Sequence, residues 1–492
     1  MNRALSRRRV LHGIAGAALV LGFDPVRRSW VTEARAAAAS GALIGLPRLD
    51  GTLRVDATAL QQAADDFGHI VHRTPVAVLE PGSVEDIARI IRFARGHGVK
   101  VAMRGQGHAT FGQAQVQGGI VVDSSALATI HAIQADRAVV DAGVQWADLV
   151  NATLPQGLTP PVLTDLLELS VGGTLSLGGI GGTASHFGAQ VDTVLELEVV
   201  TGRGDVKTCS PDRDRRLFDA VLAGLGQCAI ITRATVQLVP AKTNAVVFNL
   251  FYTDIAAYVR DQRMLLGDGR FDYLEGQVVP NSGGNGFMYM IEAATFFTPP
   301  ESPNAAALLA GLSDNAPARQ STTESFHDFA FRLEPLVAFL KSVGAWFFPH
   351  PFFSVFVPVS TVERYVSDIV AGLTTADTGG APILFYPFRR DLLRRPLLRV
   401  PREDFFTFNL LRFAPPNDPG TVNAMIASNR SLYDAAVAVG GTQYPLGSIP
   451  VTPADWRVQY GSSFDFLEDA KERFDPDDIL TPGQGIFPEP PR

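Results

Sequence analysis

At 492 residues the chain is too long for one ordinary hydrophobic core, and with 46% hydrophobic and 19% charged residues it is globular rather than disordered. The net charge is −8, but residues 1–39 hold seven arginines against Asp24 and Glu33, a net of +5 that leaves −13 on the remainder. So acidic a body argues against a nucleic-acid partner.

The first 39 residues read as a twin-arginine signal peptide. Ser6-Arg7-Arg8-Arg9-Val10-Leu11 is followed by an apolar run over 13–23 and a small-residue zone over 34–39. The run is about half of what a membrane span needs, so no stable span is expected. Export in the folded state suits a redox enzyme that is loaded with its cofactor in the cytoplasm. The destination would be periplasmic or extracellular. Cys209 and Cys228 are the only cysteines, and their spacing is not that of a zinc site. One disulfide after export is open to them, but their apolar contexts favour buried free thiols.

Along the body, residues 56–67 read as a short helix and 75–81 as a strand bounded by prolines. Ser83 caps the next helix, with Asp86 as its capping-box partner; Ile87, Ile90, Ile91 and Ala94 keep helical spacing, and Gly96 and Gly98 end it. A strand over 100–103 then leads into Gly105-Gln106-Gly107-His108. Glycines there tolerate positive φ and let backbone N–H groups approach a phosphate, and a histidine on such a rim could be a base, a metal ligand or a cofactor attachment point. Strands follow at 119–123 and 138–143, and a helix at 146–154. Next comes a second glycine tract, 171–182, too rich in small residues to read as packed core. A strand at 194–201, a helix at 217–225 and a strand at 229–238 complete this half. After Pro240 a strand (245–252) and a helix (254–266) open an aromatic-rich region, and a last helix spans 467–474. His69, His72, His97, His131, His186 and His327 show no metal-ligand spacing.

Several segments in order carry a resemblance. They are Gly105-Gln106-Gly107-His108-Ala109-Thr110-Phe111-Gly112-Gln113-Ala114, Leu163-Thr164-Asp165-Leu166 running into Val171-Gly172-Gly173-Thr174-Leu175-Ser176, Leu217-Phe218-Asp219-Ala220 with Gly224-Leu225-Gly226-Gln227, Tyr273-Leu274-Glu275-Gly276, and Pro482-Gly483-Gln484-Gly485-Ile486-Phe487. Together they resemble the cytokinin dehydrogenases, a branch of the vanillyl-alcohol-oxidase-type flavoproteins. The resemblance implies an α+β fold. A PCMH-type FAD-binding domain of two subdomains (45–240) would be joined to an α+β substrate (cap) domain with an antiparallel sheet (241–449), and a C-terminal segment (450–492) would return to the FAD domain. It also implies FAD linked covalently through His108, with the loop backbone of Gly105, Gln106 and Gly107 on the pyrophosphate. Ala109, Gln113, Ala114, Asp165, Ser170, Ser176, Ile180, Ile230, Tyr444, Thr481 and Gln484 match other flavin contacts. No cysteine lies between His108 and Cys209, so a single covalent link is expected.

The family's catalytic carboxylate matches Asp165, which would take the substrate N–H proton as hydride leaves for the flavin. Its leucine-rich surroundings (Leu163, Leu166, Leu167) would raise its pKa; by itself the position also reads as a solvated loop acid or a cap. Glu275 matches a glutamate near the purine, and alternatively reads as a strand-edge surface charge. The implied reaction is oxidation of N6-substituted adenines at the C–N bond of the substituent, to adenine and an aldehyde, with oxygen or a quinone as acceptor. Departures concern the pocket. Gln106, Ala109 and Leu163 stand where plant members have Arg, Ser and Trp, His350-Pro351-Phe352 replaces His-Pro-Trp, and Gln443-Tyr444-Pro445-Leu446 lacks a Pro-His-Tyr. An alcohol or carbohydrate oxidase of the same fold, or a flavin-binding protein without turnover, are the rival readings.

Overall fold

The computed structural model describes residues 43, 45–281 and 286–488, together with the backbone of two short antiparallel strands, Val20–Asp24 and Ser29–Thr32. The twin-arginine pattern and the alanine-rich zone lie outside the described residues. Three sheets organise the rest. In the first, strands Ala77–Glu80 and Val101–Arg104 flank Ile120–Asp123 in parallel, with Thr52–Arg54 antiparallel at the edge. The crossover is helix Val84–His97. It begins where Ser83 Oγ accepts the Asp86 N–H (3.2 Å) and ends at Gly98, whose φ of +64° suits a residue without a Cβ. The capping box is not closed, however. Asp86 is fully buried and its carboxylate accepts the N–H groups of Asp50 (2.8 Å), Gly51 (2.7 Å) and Gly82 (2.9 Å). The turn before the edge strand arrives beside this helix with unpaired donors, and they take the carboxylate away from the cap.

The second sheet has five antiparallel strands in the order Val206–Cys209, Val194–Thr201, Ala229–Gln237, Arg137–Asp141, Ile130–Ile133. Cys209 lies on its edge strand, Cys228 just before its central one; both are buried free thiols. The third sheet is antiparallel and eight-stranded: Gln320–Ser325, Asn244–Tyr252, Phe287–Phe297, Tyr273–Pro280, Ile383–Phe388, Phe405–Leu410, Phe353–Pro358, Thr442–Gln443. Its central strands are buried on both faces, so they are largely apolar on both, with a few buried polar residues such as Glu275, Ser354, Thr407 and Asn409 among them. Phe353, Val355, Phe385, Phe406 and Phe408 pack against helices Ile255–Asp268, Val362–Val370 and Pro419–Ala438. Phe356, Tyr386, Phe388 and Phe405 face the opposite way, into the core of the five-stranded sheet. Tyr273 and Glu275 share that second face with Tyr386, because residues two apart on a strand point the same way.

The C-terminal segment reaches the first sheet. Val101 N–H donates to the Ile479 carbonyl (2.7 Å) and Thr481 N–H to the Val101 carbonyl (2.8 Å). Among the described residues no helix is long and apolar enough to cross a membrane.

Candidate active site

The strand Val101–Arg104 delivers the first glycine loop. Gly107 has φ +70°, and a Cβ there would sit 2.2 Å from the Arg104 guanidinium. A Cβ on Gly105 would lie 2.2 Å from Ser170 Oγ at the start of the second tract, so the two loops meet through an absent side chain. His108 stacks on Phe67 (centroids 4.0 Å, 18° apart), and Phe67 stacks in turn on His350 (3.9 Å, 22°). Burial pushes the His108 imidazole down to about 4, so it is neutral near pH 7. Its Nε2 is buried without a hydrogen-bond partner.

The second tract, too rich in small residues to read as packed core, does enter the core in part. Val171–Leu177 is a helix, with Val171 and Leu175 fully buried in the core. Its glycines still allow close approach: a Cβ on Gly172 would lie 2.7 Å from Ala142 Cβ, against the neighbouring backbone. Alternation of small and large residues therefore serves one helix with two faces, one in the core and one on a cavity.

That cavity has a volume of about 190 Å³. Gly105, Gln106, Gly107, His108, Ala109, Gln113 and Ala114 line it from the first loop, Ser170 and Ser176 from the second tract, Ile230 from the five-stranded sheet, and Thr481 and Gln484 from the tail. Tyr444 is beside it rather than on its wall: its phenol accepts the Gly179 N–H (3.1 Å), while Pro445 and Leu446 line the cavity. Ile180 lies in the core. Gly226, whose motif received no role from sequence, is also a wall residue; its carbonyl accepts from Thr481 Oγ1 (3.0 Å), and the Gln227 amide donates to the Thr481 carbonyl (3.1 Å). Glycine-lined walls that a Cβ would fill, with an unpartnered buried imidazole nitrogen at one end, fit a dinucleotide cofactor.

Asp165 and Glu275 do not line this cavity; they meet in a separate acidic cluster. The far end of the glycine tract connects the two. A Cβ on Gly181 would lie 2.0 Å from the Leu163 carbonyl, one on Gly182 2.4 Å from the Tyr273 ring, and Leu274 N–H donates to the Gly182 carbonyl (3.1 Å). Asp165 Oδ1 accepts from Arg332 Nη2 (2.6 Å) and from the Tyr273 phenol (3.1 Å). The immediate environment of this carboxylate is thus a cation and a phenol, not the leucines expected to surround it: Leu167 turns into the core and Leu163 packs against it. Glu275 is 4% exposed and lies on an interior strand, which removes the edge-charge reading. Glu292 is its direct cross-strand partner. Burial, and then the charge of Asp165, push Glu275 well above the usual carboxylate range, while Arg332 pulls the other way. Burial also raises Glu292, which accepts from Arg332 Nε at 3.2 Å. Arg332 is not legible as a site residue in the sequence; its only signal is one charge inside the apolar run Phe329–Leu333.

The comparisons with known proteins agree with this geometry. Residues 75–210 match the family described as "FAD binding domain", and residues 282–487 the one described as "Cytokinin dehydrogenase 1, FAD and cytokinin binding". An uncharacterized oxidoreductase of the fasciation locus of Rhodococcoides fascians is 37% identical over 436 residues, covering 88% of this chain and 99% of that protein. Cytokinin dehydrogenase 6 of Oryza sativa subsp. japonica is 36% identical over 88% of this chain and 91% of its own length. Cytokinin dehydrogenase 2 of Arabidopsis thaliana is 33% identical over 91% and 96% respectively. With a cofactor cavity walled by two glycine tracts, an acidic cluster at the end of the second, and these likenesses over nearly its whole body, the chain belongs to the cytokinin dehydrogenase family of FAD-dependent oxidoreductases.

Proposed function

We propose that the protein oxidises N6-substituted adenines at the C–N bond of the substituent, releasing adenine and an aldehyde. The observation that carries this reading is the meeting, at the end of the tract that walls the cavity, of two carboxyl groups held differently: Asp165 on a cation and a phenol, Glu275 buried on the sheet. Asp165 has both its protein donors on Oδ1, which leaves Oδ2 for a substrate N–H. Glu275 is buried with Oε1 unpartnered, and burial pushes it well above the usual carboxylate range, toward the protonated form that would donate to an acceptor nitrogen of a purine. FAD bound in the cavity would supply the hydride acceptor at its N5. Asp165 would take the N–H proton as hydride leaves the adjacent carbon, and water would then split the resulting imine. An alcohol would give up its O–H proton to Asp165 in the same way, so it is the buried Glu275 carboxyl beside it, able to meet a purine nitrogen, that favours the amine.

His108 would carry the covalent flavin link. Its imidazole is neutral and stacked in place by Phe67, so a ring nitrogen keeps its lone pair. The loop from Gly105 to Gly107 would hold the pyrophosphate, with Gln113, Ala114, Ser170, Ser176, Ile230, Thr481 and Gln484 around the rest of the cofactor. Oxygen or a quinone would reoxidise it. The twin-arginine pattern motivates export to the periplasm or beyond; replacing Arg7 and Arg8 with Lys should leave loaded precursor in the cytoplasm, and normal export of that variant would end the idea.

The test of function is anaerobic mixing of the flavin-loaded protein with a panel of N6-substituted adenines and of alcohols and sugars. Fast bleaching by the adenines, with adenine and aldehyde as products, is expected. Asp165→Asn should slow bleaching by ~10²- to 10⁴-fold with the flavin spectrum unchanged. Bleaching by alcohols or sugars alone would overturn the reading.

A further inference from the structure

Arg332 sits between helices Phe326–Ala330 and Glu334–Ser342, 167 residues from Asp165 in sequence, yet its Nη2 reaches Asp165 Oδ1 at 2.6 Å. Its guanidinium is held on every side. It lies 4.7 Å from the Phe329 ring centroid and 5.0 Å from that of Tyr273, Nη2 also donates to the Tyr273 phenol, and Nε reaches Glu292 at 3.2 Å. A surface arginine does not bridge two carboxylates while lying against two aromatic rings that meet edge to face. We propose that Arg332 is a positioning residue for the oxidation. It fixes Asp165 through Oδ1 so that Oδ2 faces the substrate N–H, and it decides which carboxyl group of the cluster is the proton acceptor.

The proposal rests on Asp165 as proton acceptor. The groups that face this carboxylate are Arg332 and Tyr273 in contact, with Glu275, Glu292 and Tyr386 from the sheet; Glu168, on the same loop, is taken up by Lys341 (3.0 Å). Arg332 is thus the cation that answers three carboxyl groups. Without it the three carboxyl groups face one another with no cation between them, and like charges so close cannot all ionise. In the step itself one proton moves from substrate nitrogen to Asp165 Oδ2, and the hydride leaves for the cofactor named above.

The experiment measures the rate of anaerobic flavin reduction against pH, using the fastest-bleaching N6-substituted adenine, in wild type, Arg332→Gln, Arg332→Lys, Asp165→Asn and the Asp165→Asn/Arg332→Gln double variant. Arg332→Gln should lose roughly 10- to 100-fold at about pH 6, the scale of a misplaced reacting group. The loss should shrink toward alkaline pH, where the cluster as a whole holds fewer protons. Arg332→Lys keeps the charge and loses the fork, so it should fall between the two. On the Asp165→Asn background, Arg332→Gln should add less than about threefold, since the two act as a unit. A loss equal at all pH, a full additive loss on the Asp165→Asn background, or a wild-type profile would each overturn the proposal. Should Arg332→Gln fail to load flavin, Arg332→Lys carries the same test: a smaller loss with the same pH trend supports it, and an unchanged profile overturns it. A fast Asp165→Asn would instead remove the proton-acceptor reading, whereas a slow Asp165→Asn beside an unaffected Arg332→Gln would remove only the role of Arg332.

Discussion

Gly182→Ala is the most direct test of how the glycine tract and the acidic cluster are joined. A Cβ built on Gly182 meets three atoms of the Tyr273 ring at 2.4, 2.6 and 2.6 Å. The backbone there is not left-handed, so alanine meets no conformational obstacle and the effect is purely steric. Reaching ordinary contact near 3.4 Å requires the ring to retreat by about 1 Å. It has little room: Tyr273 is 4% exposed, stands edge-on to Phe329 at 4.9 Å, and bonds both Asp165 and Arg332. Overpacking of this kind destabilises by ~1–3 kcal/mol. A 1 Å shift in a positioned group costs up to ~10²-fold in rate, equivalent to about 2.7 kcal/mol. Stopped-flow flavin reduction should therefore slow by roughly 10- to 100-fold, with cofactor content and visible spectrum unchanged, because Gly182 is not on the cavity wall. Gly96→Ala is the control. Gly96 is exposed within helix Val84–His97 and its Cβ would touch nothing within 4 Å, so it should be neutral or stabilising by ~0.5–1 kcal/mol. A Gly182→Ala enzyme that reduces flavin at the wild-type rate would refute the reasoning, since Tyr273 would then have moved without consequence for Asp165.

Other predictions follow from the same contacts. Acid-denatured wild type should keep its yellow colour with the pellet and His108→Ala should release it to the supernatant; free flavin from wild type would dismiss the covalent link. Glu275 has a folded-state pKa well above the ordinary 4.5, so its contribution to stability is fully present below that value and is lost as pH rises toward the folded pKa. Glu275→Gln removes this loss, so its melting temperature relative to wild type should climb with pH above about 5; a difference that does not vary with pH would contradict a protonated Glu275. The same variant keeps a neutral donor, and its reduction rate should stay within ~10-fold of wild type; a loss as large as that of Asp165→Asn would count against the donor role. Burial pushes the Cys209 and Cys228 thiols up to about 12, so neither should react with a thiol reagent at neutral pH until the protein is unfolded. Rapid labelling of the native protein would show that one of them is accessible.

The sequence by itself determined the local elements and the cofactor loops. Strand Val194–Thr201 follows from its own pattern, helix Val84–His97 from Ser83 and Gly98, and the first glycine loop from residues that tolerate positive φ, since each depends on neighbours a few positions away. Twelve of the proposed flavin contacts, nine of them inside the ordered motifs, line one cavity. What tertiary structure decided are the matters that depend on partners far along the sequence. Asp86 leaves its cap for donors some 35 residues away, as its bond to Gly51 illustrates. The second glycine tract becomes a helix because Val171 and Leu175 find a core to enter. Asp165 is bonded not by the leucines beside it but by Arg332, 167 residues on, and Glu275 is pushed above the usual carboxylate range by burial in a sheet whose strand order no local pattern encodes. Ionisation is set by what surrounds a group in three dimensions, so the different surroundings of these two carboxyl groups came only from the folded protein.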